Sequence, residues 1–66
     1  MRITVNGVEQ VFPKEMTLKE LLGDLEMEPG QIAVARNGTV VPRSQHESVL
    51  VRDGDHIEIV KAVAGG

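Results

Sequence analysis

One helix signal stands between two hairpin signals, and that arrangement leaves little choice of fold. The segment "MTLKELLGDLEMEPG" carries its own start and stop. Thr17 and Glu20 have the T-x-x-E spacing of a capping box, in which each side chain satisfies a backbone N–H near the other. Met16 precedes the cap and Leu21 occupies the fourth helical position, as a hydrophobic staple requires. Leu18, Leu21, Leu22 and Leu25 recur at i, i+3, i+4 and i+7 and make one apolar stripe. Gly23 weakens the helix by about 1 kcal/mol relative to Ala, and Pro29-Gly30 is expected to stop it. The leucines read as core.

On the N-terminal side, "RITVNGVEQVF" alternates with period two around Asn6-Gly7, a pair suited to a type I′ turn. Val5 then faces Val8, and Gln10 falls on the apolar side with Val8 and Phe12. Either Gln10 lies near a sheet edge or a bulge shifts the register. On the C-terminal side, "QIAVARNGTVVPR" repeats the pattern around Asn37-Gly38, and Pro42 ends the return strand or places it at an edge. "RSQHES" reads as loop, "VLV" as a short strand and Asp53-Gly54 as a turn. "HIEIVKAV" is the final strand, with Ile57 and Ile59 inward.

The expected order is β-β-α-β-(β)-β. A lone helix between hairpins must cover one face of one mixed sheet. The first and last strands are the most apolar and belong side by side at its centre. This is the α+β architecture of the β-grasp (ubiquitin-like) fold, with four to five strands wrapped around one helix. We expect a domain over residues 1–61 and a flexible tail over residues 62–66, reaching about 15 Å if extended.

Bulk properties exclude several function classes. At 66 residues the chain is one small domain, with no room for both a deep catalytic cleft and a solid core. It has no cysteine, hence no disulfide and no thiolate metal site. Net charge is −3 with the two signs interspersed, and Phe12 is the sole aromatic residue. Neither a basic stripe nor a base-stacking platform exists, which argues against nucleic acid. No apolar run suits a signal peptide or a membrane span, so the cytoplasm is the expected location.

The internal residues offer no catalytic set. His46 and His56 lack carboxylates at a ligand spacing, read as surface residues and do not suggest zinc. Asp53 and Asp55 flank Gly54 like a fragment of a calcium loop, but the remaining ligand positions are missing, so a turn is the reading. Ser44 and Ser48 have no credible base. Arg36 and Arg43 have the chemistry to hold a partner's carboxylates, although solvated surface is the plainer reading. No glycine-rich loop opens the helix to cradle phosphate.

Attention therefore moves to the final residues, "AVAGG". A terminal glycine carboxylate has no side chain beside it, and Gly65 lets the backbone lie close to the walls of a narrow channel. A free carboxylate is unreactive and needs activation by another enzyme, most simply as an acyl adenylate. On this reading the protein is a carrier and not an enzyme. Gly66 is the reacting residue, and Gly65, Ala64 and Val63 are recognised as the tail. Val41 and Val60 are candidate docking residues on the sheet face beside it.

"NGTVVPRSQHESVLVRDGDHIEIVKAVAGG" resembles the C-terminal half of the ThiS family of sulfur carriers for thiamine thiazole synthesis. "VPR", "V-x-DGD-x-IEI" and the terminal "V-x-GG" stand in family order, and "ITVNG" and "TLKELL" match its N-terminal half. His46 departs from the family, where many members have tryptophan. The resemblance implies that a ThiF-type enzyme adenylates Gly66 with ATP, used by that partner and not bound here as a cofactor. It further implies that a cysteine-desulfurase persulfide converts the adenylate to a thiocarboxylate, and that a ThiG-type thiazole synthase accepts the sulfur. Three alternatives share some of these features. They are a MoaD-like carrier for molybdopterin synthesis, a ubiquitin-like protein modifier, and a passive β-grasp binding module. The short chain and the tail approach "IVKAVAGG" favour the first family over the MoaD type. A passive module would be expected to continue into another domain rather than stop at Gly66.

Overall fold

The computed structural model describes residues 1–27 and 32–61. Its first eleven residues form the expected hairpin. Strands β1 (Arg2–Val5) and β2 (Val8–Val11) pair antiparallel with Val5 opposite Val8. Asn6 and Gly7 turn the chain with φ of 51° and 81°, as a type I′ turn requires. Gln10 lies opposite Ile3 in an unbroken register. β2 is an edge strand, so Gln10 keeps access to water and no bulge is needed.

The helix begins where its cap predicts. Thr17 Oγ1 accepts from the Glu20 N–H at 3.1 Å, and Glu20 Oε1 accepts from the Thr17 N–H at 2.9 Å. The Thr17 N–H and the Thr17 hydroxyl, which donates to Glu20 Oε1 at 3.2 Å, hold the Glu20 carboxyl below the usual carboxylate range. Helix α1 (Leu18–Asp24) stops earlier than expected. Leu25 is its C-cap, and Glu26 adopts φ 57°. The Glu26 N–H donates to Gly23 O and the Met27 N–H to Leu22 O, which is the Schellman arrangement. The backbone thus ends the helix before Pro29-Gly30, which lie outside the described residues.

The second hairpin joins β4 (Ile32–Arg36) to β5 (Thr39–Val41) through Asn37 and Gly38, again with positive φ. Pro42 follows and leads into a 3-10 turn over Arg43–Gln45. The short strand expected near "VLV" appears as β6 (Leu50–Val51), but it does not join the main sheet. It pairs with a strand not anticipated, β3 (Met16–Thr17), just before the helix. This small ladder closes one end of the core with Met16 and Val51, both buried.

The main sheet has five strands in the order β2-β1-β7-β4-β5, with β7 (His56–Lys61) in the middle. β1 and β7 run parallel, and all other neighbours are antiparallel. Ile3, Val5, Val34, Ile57 and Ile59 project from one face and pack with Leu18, Leu21 and Leu22 of α1 in a single core. Each such buried side chain contributes about 1.5–3 kcal/mol. A mixed sheet with adjacent parallel first and last strands, covered by one helix, is the β-grasp fold.

Candidate functional site

The anticipated tail residues Val63, Ala64, Gly65 and Gly66 lie outside the described residues. What the structure describes is the sheet that leads to them. β7 runs down the sheet centre to Lys61, which pairs with Ile32 of β4. Its alternation sends Ile57 and Ile59 into the core and turns Glu58 and Val60 to the opposite, outer face.

On that face Val60 pairs with Ala33, and Ala35 pairs with both Glu58 and Val40. Val60 is 63% exposed and Val40 69%. Ala33, Ala35, Val40 and Val60 therefore form a continuous apolar strip across three strands, next to the last described residues of β7. Val41 does not belong to it. Val41 pairs with Val34 and is buried in the core, so it does not lie on the outer face as expected; Val40 is the exposed valine of β5 there. The sequence held the signal. A two-residue turn at Asn37-Gly38 pairs Arg36 with Thr39, so Val41 must share the face of Val34.

Two polar residues, Asp55, read as part of a turn, and His46, read as surface, are buried. Asp55 is 6% exposed and acts as a latch. Its Oδ2 accepts from Arg36 Nε at 2.7 Å and from the Arg52 N–H at 2.9 Å, and its Oδ1 accepts from Asn37 Nδ2 at 3.1 Å. Burial alone would raise the Asp55 pKa. The bonds from Arg36, Arg52 and Asn37, with the positive charge of Arg36, outweigh burial and lower it. Arg36 is thus engaged within the chain and not a solvated arginine. Asp53 also has a local task, its Oδ1 accepting from the Arg2 N–H. His46 is 4% exposed, contrary to the surface reading. It follows the 3-10 turn, its Nε2 lies 3.2 Å from Val41 O, and its carbonyl accepts from the Lys19 N–H. Its ring thus meets β5, and its backbone meets the start of α1. The isolated position of a histidine in a polar segment gives no sign of such burial.

The remaining candidates do not assemble a reaction centre. Ser48 Oγ donates to Gln45 O. Ser44 and Arg43 line a groove of about 380 Å³ together with Leu22, Gly23 and His46, whose ring nitrogen is turned to Val41 O. His56 Nδ1 lies 2.8 Å from Thr4 Oγ1 on the exposed sheet face. Among the described residues, no three His, Asp or Glu side chains converge as metal ligands, and no helix is long and apolar enough to cross a membrane.

Comparison with known proteins places this architecture. The family model described as "ThiS family" matches residues 1–66. The sulfur carrier protein ThiS of Escherichia coli is 35% identical over the full length of both chains. A thiazole synthase of Paramagnetospirillum magneticum is 42% identical over all 66 residues, which span only a fifth of that longer protein. Among solved structures, the thiamine biosynthesis protein ThiS of Geobacter metallireducens superposes with a TM-score of 0.90 at 30% identity, with complete coverage of both chains. The match to a family model over every residue, joined to the shared fold, decides the assignment: the chain belongs to the ThiS family.

Proposed function

We propose that this protein is a sulfur carrier of thiamine biosynthesis and works through its terminal carboxylate at Gly66. The observation that carries the reading is the end-to-end match to the sulfur carrier of Escherichia coli. The chemistry then follows from what a carboxylate can do. A Gly66 oxygen attacks the α-phosphorus of ATP, and pyrophosphate leaves. The active site for this step belongs to a ThiF-type adenylating enzyme. A cysteine-desulfurase persulfide attacks the acyl carbon, and AMP leaves. A thiol then cleaves the S–S bond, leaving the Gly66 thiocarboxylate and a disulfide.

The acceptor is a thiazole synthase of the ThiG type. The match of this chain to a fifth of a thiazole synthase supports that choice. The apolar strip of Ala33, Ala35, Val40 and Val60 is the docking face for these partners, since a compact apolar area at a polar rim suits transient protein contact. Val63, Ala64 and Gly65 are threaded into the partner's channel.

Intact mass spectrometry tests the reading. The protein is incubated with ATP, an adenylating enzyme of this type and a sulfide source. Replacement of one oxygen by sulfur, mapped to Gly66, is expected. A chain lacking Gly65 and Gly66 should stay unmodified and unfold at the same temperature as the intact protein. An intact chain that gains no sulfur refutes the proposal.

A further inference from the structure

β1 ends one residue too early for the strand it supports. Its backbone carries the parallel ladder with β7 as far as the Asn6 N–H, which donates to Ile57 O at 2.9 Å. There the chain turns away with φ 51°. In a parallel ladder, alternate residues direct both N–H and C=O to the same neighbouring strand. The next residue of β7 facing β1 is therefore Ile59, and β1 has no backbone left to meet it.

The Asn6 side chain meets it instead. The Ile59 N–H donates to Asn6 Oδ1 at 2.7 Å, and Asn6 Nδ2 donates to Ile59 O at 3.1 Å. A carboxamide offers an acceptor and a donor much as a peptide group does. Asn6 thus extends the sheet by one pair without extending the strand. The contact spans 53 positions of sequence. It is also partly buried, so an unmet N–H and C=O on Ile59 would carry a desolvation cost.

Ile59 is the last inward-facing residue of β7 before Lys61. On the opposite flank, β4 pairs with β7 to its end, where Val60 lies opposite Ala33 and Lys61 opposite Ile32. With both flanks held, the end of β7 is fixed relative to Val40 and Val60. Building on the reading of Gly66 as the reacting group, we propose that Asn6 is a positioning residue for the tail, its amide aiming the end of β7 so that Gly66 reaches the activating centre when the outer face is docked. Its action passes through Ile59, and it touches no substrate.

The protein contains its own control. Asn37 grips the other end of β7, where its N–H donates to His56 O at 2.8 Å and its Oδ1 accepts from the His56 N–H at 2.8 Å. That clamp is of the same kind but sits at the start of the strand, away from the tail.

The experiment compares Asn6→Gly, Asn6→Asp and Asn37→Gly with the natural protein. Glycine tolerates the positive φ of either turn and removes only the amide. Aspartate keeps an acceptor for the Ile59 N–H but sets a carboxylate oxygen against Ile59 O. Amide exchange at Ile59, thermal unfolding, and kcat and KM for ATP-dependent activation are measured. Asn6→Gly should speed Ile59 exchange about tenfold, and Asn6→Asp should speed it less because it keeps an acceptor for that N–H. They should lower kcat about tenfold while KM stays within about twofold, because the docking face is intact and only alignment is lost. Asn37→Gly should lower thermal stability with kcat unchanged. The proposal is overturned if the Asn6 variants keep the natural kcat, or if Asn37→Gly lowers kcat equally at equal loss of stability. Should Asn6→Asp fail to fold, Asn6→Gly alone carries the comparison. Failure of the natural chain to be activated would instead refute the sulfur-carrier reading, while Ile59 exchange would still report on the clamp.

Discussion

Replacing Asp55 by asparagine is expected to cost far more than an isosteric change at a turn suggests. Asparagine keeps one acceptor oxygen and exchanges the other for an NH2 group. With the oxygen left facing Arg36 and the Arg52 N–H, the new NH2 faces Asn37 Nδ2, a donor. Asn37 cannot turn its amide round to help, because its Oδ1 already accepts from the His56 N–H at 2.8 Å. One hydrogen bond is therefore lost, at about 1 kcal/mol. The two bonds from Arg36 and Arg52 fall from charge-assisted to neutral, at about 1 kcal/mol each. The Arg36 side chain is 31% exposed and regains water, so no further penalty is assigned to it. The sum is about 3 kcal/mol, which lowers the melting temperature of so small a domain by about 12–24 °C.

The same substitution predicts a pH dependence. Because the folded-state pKa of Asp55 is depressed, its carboxylate contributes stability above the unfolded value and loses it as pH falls through the folded value. The gap between the natural protein and Asp55→Asn should be complete at neutral pH and narrow below about pH 4, where a free aspartate begins to protonate. Thermal unfolding followed by far-UV circular dichroism across this range reads the gap directly. A difference below about 0.5 kcal/mol at neutral pH, or one that is constant down to strong acid, would refute the account of Asp55 as a charged latch.

Two further substitutions probe other parts of the molecule. Val60→Glu places a charge on the exposed apolar strip. Stability should change by no more than about 0.5 kcal/mol, while KM for activation rises about tenfold or more because the partner must desolvate that charge; an unchanged KM would move the docking face elsewhere. Glu26→Gly should stabilise the protein by about 0.5–1 kcal/mol. The left-handed conformation at Glu26 costs about 1–2 kcal/mol, and the extra freedom of an unfolded glycine returns about 0.5–1 of it. Chemical denaturation gives the sign, and destabilisation would show that the Glu26 side chain makes a compensating contact.

Much of this fold was legible in the chain because its punctuation is local. The capping box joins residues three apart, and the Asn-Gly turns fix their own registers over four residues. Strand alternation placed Ile57 and Ile59 inward, and the leucine stripe set the helix against them. Even the misassigned Val41 could have been placed correctly, since the turn alone decides its partner. The helix end was less legible, because Glu26 accepts a conformation usually left to glycine.

What the chain could not announce depends on residues brought together over long separations. The β3–β6 ladder joins Met16 to Val51; "VLV" read as a strand, but its partner at Met16–Thr17 is too short to be recognised apart. The burial of His46 depends on Val41 of β5 meeting its ring and Lys19 of α1 meeting its carbonyl. Asp55 looks like any turn aspartate until the second hairpin delivers Arg36 and Asn37 to it. Asn6 reads as a turn former, and its bond to Ile59 exists only once the first and last strands lie parallel. By itself the sequence determined the elements, because turns, caps and periodicity act between near neighbours. Tertiary structure alone decided which polar groups are buried and which side chain holds the strand that leads to Gly66. Those roles require a partner from a distant segment to meet each buried donor and acceptor.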